Sequence, residues 1–149
     1  MSTLSESKKS YFDYKILEKM EAGLVLLGTE VKAIKTGRMN IKGTYIAFNE
    51  NGEPQLIGCN IPPYQPRNAP LDYNPERPRK LLLKKDEIRY LIGKVKEKGL
   101  TLIPLRVYTK RGKIKLEFGI AQGKKKVDKR EAIKEKEFKR NKERLLKEI

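Results

Sequence analysis

Residues 103–120 run Ile103-Pro104-Leu105-Arg106-Val107-Tyr108-Thr109-Lys110-Arg111-Gly112-Lys113-Ile114-Lys115-Leu116-Glu117-Phe118-Gly119-Ile120. Ile114, Leu116, Phe118 and Ile120 alternate with Lys113, Lys115, Glu117 and Gly119. That period of two marks a half-buried strand. Ile103, Leu105 and Val107 alternate in the same way, and Thr109–Gly112 joins the two runs as a hairpin. Outward from this hairpin the pattern repeats. Thr44–Phe48 and Gln55–Ile61 flank Asn49-Glu50-Asn51-Gly52, whose Asn-Gly pair favours a tight turn. Tyr14–Leu17, Gly23–Leu27 and Arg79–Leu83 are further strand pieces.

Two helices interrupt the strands. Between Asp86 and Lys98, Ile88, Leu91, Ile92 and Val95 fall on one apolar face, and Gly99 supplies the stop. Thr29–Thr36 carries Val31 and Ile34, with Thr29 as a candidate N-cap and Gly37 just past the end. The expected fold is mainly β: an OB-like closed antiparallel β-barrel of about six strands, with two to three flanking helices and a flexible basic C-terminal tail. An open α+β sandwich is the alternative. No internal repeat and no Rossmann or P-loop glycine pattern occurs.

The 149 residues suit one domain, and the chain divides at about residue 122. Residues 1–122 form the expected barrel. Residues 123–149 hold twelve of the 35 Lys/Arg and six of the 19 Asp/Glu, so tail and body carry +6 and +10 of the net +16. Phe138, Leu145, Leu146 and Ile149 make a thin apolar stripe at helical spacing. Such a segment is disordered when free and becomes helical against a partner.

Composition excludes several chemistries. No His is present, so there is no Ser-His-Asp or Cys-His nucleophile and no His metal ligand. One Cys makes no internal disulfide and no Cys-rich zinc site. The acidic residues are scattered, apart from Asp86-Glu87 at an expected helix start. No cofactor, metal or enzymatic activity is expected. No apolar run approaches the ~20 residues of a membrane span, and Met1–Lys9 lacks a secretory core. A cytoplasmic monomer is expected. The charge excess points to a polyanion, with nucleic acid the better match.

Four segments carry candidate RNA chemistry. Ser7–Tyr14 sets Lys8 and Lys9 beside Tyr11, Phe12 and Tyr14. Glu21–Lys32 offers Glu21 beside Gly23, and ends on Lys32. A carboxylate there could accept from base-edge amino groups or be an ordinary ion-paired residue. Arg79-Lys80-Leu81-Leu82-Leu83 combines two cations for phosphate with an apolar run. Gly123–Arg130 packs five cations, Lys124 and Lys125 among them, into eight residues. Between these, residues 62–78 hold six of the eight prolines, with Tyr64, Arg67, Tyr73 and Arg77. That loop either stacks on bases and pairs with phosphates or is a stiff crossover packed on the barrel.

In this order the motifs EAGLVLLGTEVKAIKTG (21–37), RKLLLKKDEI (79–88), GLTLIPL (99–105) and GKKKVDKR (123–130) closely resemble the SsrA-binding protein family, also called small protein B or SmpB. The resemblance spans nearly the whole chain. It implies an OB-like barrel that binds the tRNA-like domain of transfer-messenger RNA and delivers it to stalled ribosomes for trans-translation. A ribosomal protein or another translation factor is the alternative, and an RNA-acting enzyme a more distant one. The resemblance also implies that Glu21 and Leu82 face the RNA, and that Gly123 opens the segment leading to Asp128, Lys129 and Arg130. It implies that the tail enters the ribosome's decoding site and empty message channel, where Lys129, Arg130, Lys134, Lys139 and Arg140 meet phosphates. At the N-terminus the chain departs from the family: Ser7 stands where an Asn is usual, and Ser10 and Phe12 where Ala and His are frequent, while Asp13 and Tyr14 match.

Overall fold

In the computed structural model, which describes residues 2–97, 99–123, 136–142 and 144, the quoted hairpin is the centre of the molecule. It pairs β6 (Leu100–Lys110) with β7 (Lys113–Gly123). Arg111 and Gly112 alone form the turn, at φ 52° and 76°. Positive φ at both central residues gives the turn whose twist matches its strands, which Gly112 permits. β7 pairs on its other side with β2 (Tyr14–Leu24). The strand pieces expected at 14–17 and 23–27 are therefore one strand, interrupted by a bulge between Ile16 and Glu18.

The remaining strands are β1 (Ser2–Glu6), β3 (Tyr45–Phe48), β4 (Pro54–Ile57) and β5 (Arg79–Leu82). All seven make one antiparallel sheet in the order β1-β6-β7-β2-β5-β4-β3. β3 approaches β6, but the sheet is not closed: β1 and β3 are its unpaired ends. The expected closed barrel is thus replaced by an open, curled sheet. β1 was not foreseen because its sequence is polar except for Leu4, as suits a short edge strand.

The inner face carries the main core: Leu56, Leu81, Leu116, Phe118 and Val107 are fully buried. Onto it pack α2 (Gly28–Lys35) through Ala33 and Ile34, and α3 (Lys85–Val95) through Leu91. Thr29 is not the N-cap of α2; Leu27 occupies that place, and Glu30 reaches back to accept from the Leu27 N–H at 2.9 Å. The third of the two to three expected helices is α1 (Lys8–Asp13), a span not assigned to a helix from the sequence, and it carries Tyr11 and Phe12. Both rings are partly exposed on it.

Beside the bulges the outer face holds a small second core of Ile103, Leu105 and Ala121, with Tyr14 and Ile16 against it. Gly119 makes this possible. A Cβ there would lie 2.9 Å from Ile16 Cγ2 and 3.2 Å from the Glu18 carbonyl. The strands bend over that bare backbone, and α1 is anchored nearby by the Ser7 N–H donating to Leu105 O at 2.9 Å.

Candidate nucleic-acid interface

The side chains that alternate away from the main core make a continuous charged surface. On β6 these are Arg106, Tyr108 and Lys110; on β7, Lys113, Lys115 and Glu117; on β2, Lys19 and Glu21; on β5, Lys80 and Leu82. Strand register sets the neighbours. Glu21 lies opposite Glu117, Arg106 opposite Glu117, Tyr108 opposite Lys115, and Gly23 opposite both Lys115 and Leu82. Glu21 and Leu82, 61 positions apart in sequence, thereby come to adjoining places on one face.

Glu21 is held, not loose. The Tyr108 hydroxyl donates to its Oε2, and Lys110 Nζ stands 3.5 Å from the same oxygen. The Tyr108 bond first, and the lysines after it, hold the Glu21 carboxyl below the usual range. Burial first, and then Glu21, push the Tyr108 phenol up. The Arg106 guanidinium stacks 4.4 Å from the Tyr108 ring centre and bridges to Glu117 at 3.4 Å. Leu82, 56% exposed, is the one leucine of its run that points outward. It rests on Gly23, where a Cβ would come 3.2 Å from Leu82 Cβ. Together with Lys113, Lys115 and Ile114 these residues line a shallow pocket.

Arg79 is corrected by the structure. Expected at phosphate, it has no exposed side-chain surface. In the strand's alternation Arg79 and Leu81 point inward, while Lys80 and Leu82 point outward. Its Nε donates to Glu30 Oε2 at 3.0 Å, its Nη2 contacts the same oxygen, and its Nη1 donates to Cys59 O at 2.6 Å. Arg77 pairs with the other Glu30 oxygen, and the Tyr73 hydroxyl lies 3.2 Å from Oε2 and 2.8 Å from Ile61 O. Burial pushes the Glu30 carboxyl up, but the Leu27 N–H and the two arginines outweigh it and leave it depressed. Much of the proline-rich segment is thus a crossover tied to α2. Tyr64 packs on the core, Arg38 donates to the Tyr64 carbonyl at 2.9 Å, and Arg67 remains exposed.

The other expected residues fall elsewhere. Lys8 and Lys9 are exposed on α1. Lys9 and Tyr14 line a groove with Lys42, Thr44 and Thr101, away from Glu21. Ser7 is buried and its hydroxyl meets that of Ser10 at 2.9 Å, so it supports α1. Lys32 is exposed and borders a crevice against the proline segment with Tyr64 and Tyr73. Lys80 is bridged to Glu53 at 2.6 Å. Gly123 ends β7 opposite Tyr14. Lys124, Lys125, Asp128, Lys129, Arg130 and Lys134 lie outside the described residues; Lys139 and Arg140 are exposed on the helical stretch 136–142.

Sequence reasoning missed Glu30, Arg106, Tyr108, Lys110 and Lys115. The alternation of the hairpin itself was the signal for Lys115 and Glu117 sharing a face. For Tyr108 there was none, because its partner Glu21 is distant in sequence.

The chain that folds into this lysine-lined sheet face matches a known family. The SmpB protein family model covers residues 4–148. The chain belongs to the SmpB family. An SsrA-binding protein of Sulfurihydrogenibium sp. (strain YO3AOP1) is 52% identical over 97% of this chain and 93% of its own length. One from Thermosynechococcus vestitus (strain NIES-2133 / IAM M-273 / BP-1) is 47% identical over 99% and 97%. A solved chain from "tmRNA-SmpB: a journey to the center of the bacterial ribosome" superposes with a TM-score of 0.65 at 43% identity, covering 86% of this chain and 92% of that one. Among the described residues of this SmpB-family chain, no helix is long and apolar enough to cross a membrane, and no three His, Cys, Asp or Glu residues gather as metal ligands.

Proposed function

We propose that this chain binds the tRNA-like domain of transfer-messenger RNA and carries it to stalled ribosomes for trans-translation, as a cytoplasmic monomer that performs no catalysis. The observation that supports this reading is the meeting of Glu21 and Leu82 on one basic face, in a chain of the SmpB family. The curled sheet is read as an OB-like barrel open between β1 and β3. Lys113 and Lys115 attract phosphate, Leu82 gives an apolar rest for a sugar or base, and Glu21 accepts from a base edge. A carboxylate repels phosphate, so Glu21 can help only by meeting a donor. Lys8, Lys9, Lys32 and the cations from Gly123 onward extend the basic surface. Arg77 and Arg79 contribute by holding the proline segment and α2 in place.

Residues 123–149 are read as the ribosome-engaging tail. The 22 residues after Val127 reach about 33 Å as a helix, enough to run along a channel. Asp128, Lys129, Arg130, Lys134, Lys139 and Arg140 would face ribosomal RNA there. The test pairs two measurements on a chain ending at Val127: gel-shift affinity for the tRNA-like domain, and tag addition in reconstituted translation. Affinity within a few-fold and abolished tagging support the reading. Equal loss of both would place the tail in the RNA site, and loss of neither would end the channel mechanism.

A further inference from the structure

The geometry points to Tyr108 as the residue that orients Glu21, so that one carboxylate oxygen is fixed on the protein and the other is presented to RNA. Both protein contacts of the carboxylate fall on Oε2: the Tyr108 hydroxyl and Lys110 Nζ. Oε1 has no hydrogen-bond partner among the described residues, and the Glu21 side chain keeps 35% of its surface exposed. A free glutamate on a strand surface samples several rotamers, and a ligand must fix one at an entropic cost. Here that cost is met on folding.

Tyr108 is itself immobilised. It is 2% exposed, an unusual burial for a side chain on the solvent face of a sheet. Arg106 stacks on its ring, and Glu117 holds Arg106 from the next strand. Without this chain Glu21 would stand directly opposite Glu117 with nothing between the two charges, a destabilising cross-strand pair. Arg106 neutralises Glu117, and Lys110 with Tyr108 secures Glu21. The arrangement accommodates an acid on a basic face while leaving one acceptor outward. Tyr108 is a positioning residue, and Arg106 and Glu117 act through it. This inference rests on the RNA-binding reading of the outer face.

The experiment measures Tyr108→Phe, Glu21→Gln and the double variant against the tRNA-like domain and against an unrelated structured RNA of equal length, at one salt concentration. Tyr108→Phe keeps the ring and its stacking, so it folds with a melting temperature close to that of the parent. Affinity for the tRNA-like domain should fall roughly tenfold, with the control RNA unchanged. The double variant should bind like Glu21→Gln alone, because the tyrosine acts only through the carboxylate. In Tyr108→Phe, carboxyl NMR should show the Glu21 titration rising toward the ordinary carboxylate range. Additive losses, equal losses for both RNAs, or an unmoved Glu21 titration would overturn the positioning role. If the parent chain does not distinguish the two RNAs, the functional reading fails first. If it does and Tyr108→Phe binds as the parent does, only the present inference fails.

Discussion

Glu30→Ala should be among the most damaging single substitutions in this chain, and more damaging than Arg79→Met. The carboxylate accepts from the Leu27 N–H, both arginines and Tyr73, and its side chain has no exposed surface. Removing it leaves the Arg79 guanidinium buried with only the Cys59 carbonyl and a distant Tyr73 hydroxyl, 3.5 Å away, as partners. Breaking a buried pair from one side costs about 3–5 kcal/mol. Arg79→Met is milder, because Arg77, Tyr73 and the Leu27 N–H still satisfy Glu30; the loss of charged hydrogen bonds alone is about 2 kcal/mol. At ~4 °C per kcal/mol for a chain of this size, the melting temperatures should drop by about 16 and 8 °C. The double variant should cost less than the two single losses together, since neither charge is then stranded. Urea denaturation and calorimetry provide the values. The sign with pH also follows. The folded pKa of Glu30 lies below its unfolded value, so its contribution is complete above the unfolded carboxylate pKa and is lost as pH falls through the folded one. The gap between parent and Glu30→Ala should therefore narrow only in acid. For RNA, Arg79→Met should leave the salt dependence of binding unchanged, whereas Lys115→Ala should make the log–log slope shallower by about one. A Glu30→Ala cost under ~1 kcal/mol, or a slope altered by Arg79→Met, would refute the buried-network account.

Three further outcomes are expected. Leu82→Ala should change stability by less than ~1 kcal/mol because the side chain is mostly exposed, yet weaken binding to the tRNA-like domain in gel shifts; a loss of stability without a loss of binding would make Leu82 a packing residue. Gly119→Ala should destabilise by about 1–3 kcal/mol in urea titration, since its methyl would strike Ile16 and the Glu18 carbonyl; a neutral result would show that the bulged strands can part there. Burial pushes the Cys59 thiol up to about 11, so alkylation by iodoacetamide at pH 8 should be slow and should accelerate in urea in step with unfolding; rapid labelling of the native chain would contradict its burial.

Most of the strands, the two longer helices, the stop at Gly99, the hairpin turn ending at Gly112 and the anionic character of the partner were legible in the chain, because each follows from a short-range rule or from composition. Period two and period 3.6 depend on neighbours within a few residues, and net charge depends on none. The four family motifs in order carried Glu21 and Leu82. What the chain could not reveal is whatever depends on pairing across it. Arg79 and Lys80 are adjacent cations with the same chemistry in sequence; only the strand's register against β4 and β2 sends one into the core and the other to solvent. Glu30 reads as an ordinary acid in a helix's first turn until tertiary contacts bring Arg77 and Arg79, 47 and 49 positions away, onto its oxygens. Nothing near Tyr108 in the sequence marks it as the partner of Glu21, 87 positions off. Whether the sheet closes is likewise global: it depends on where β1 and β3 finish after six strand pairings and three bulges, and no local pattern encodes that sum.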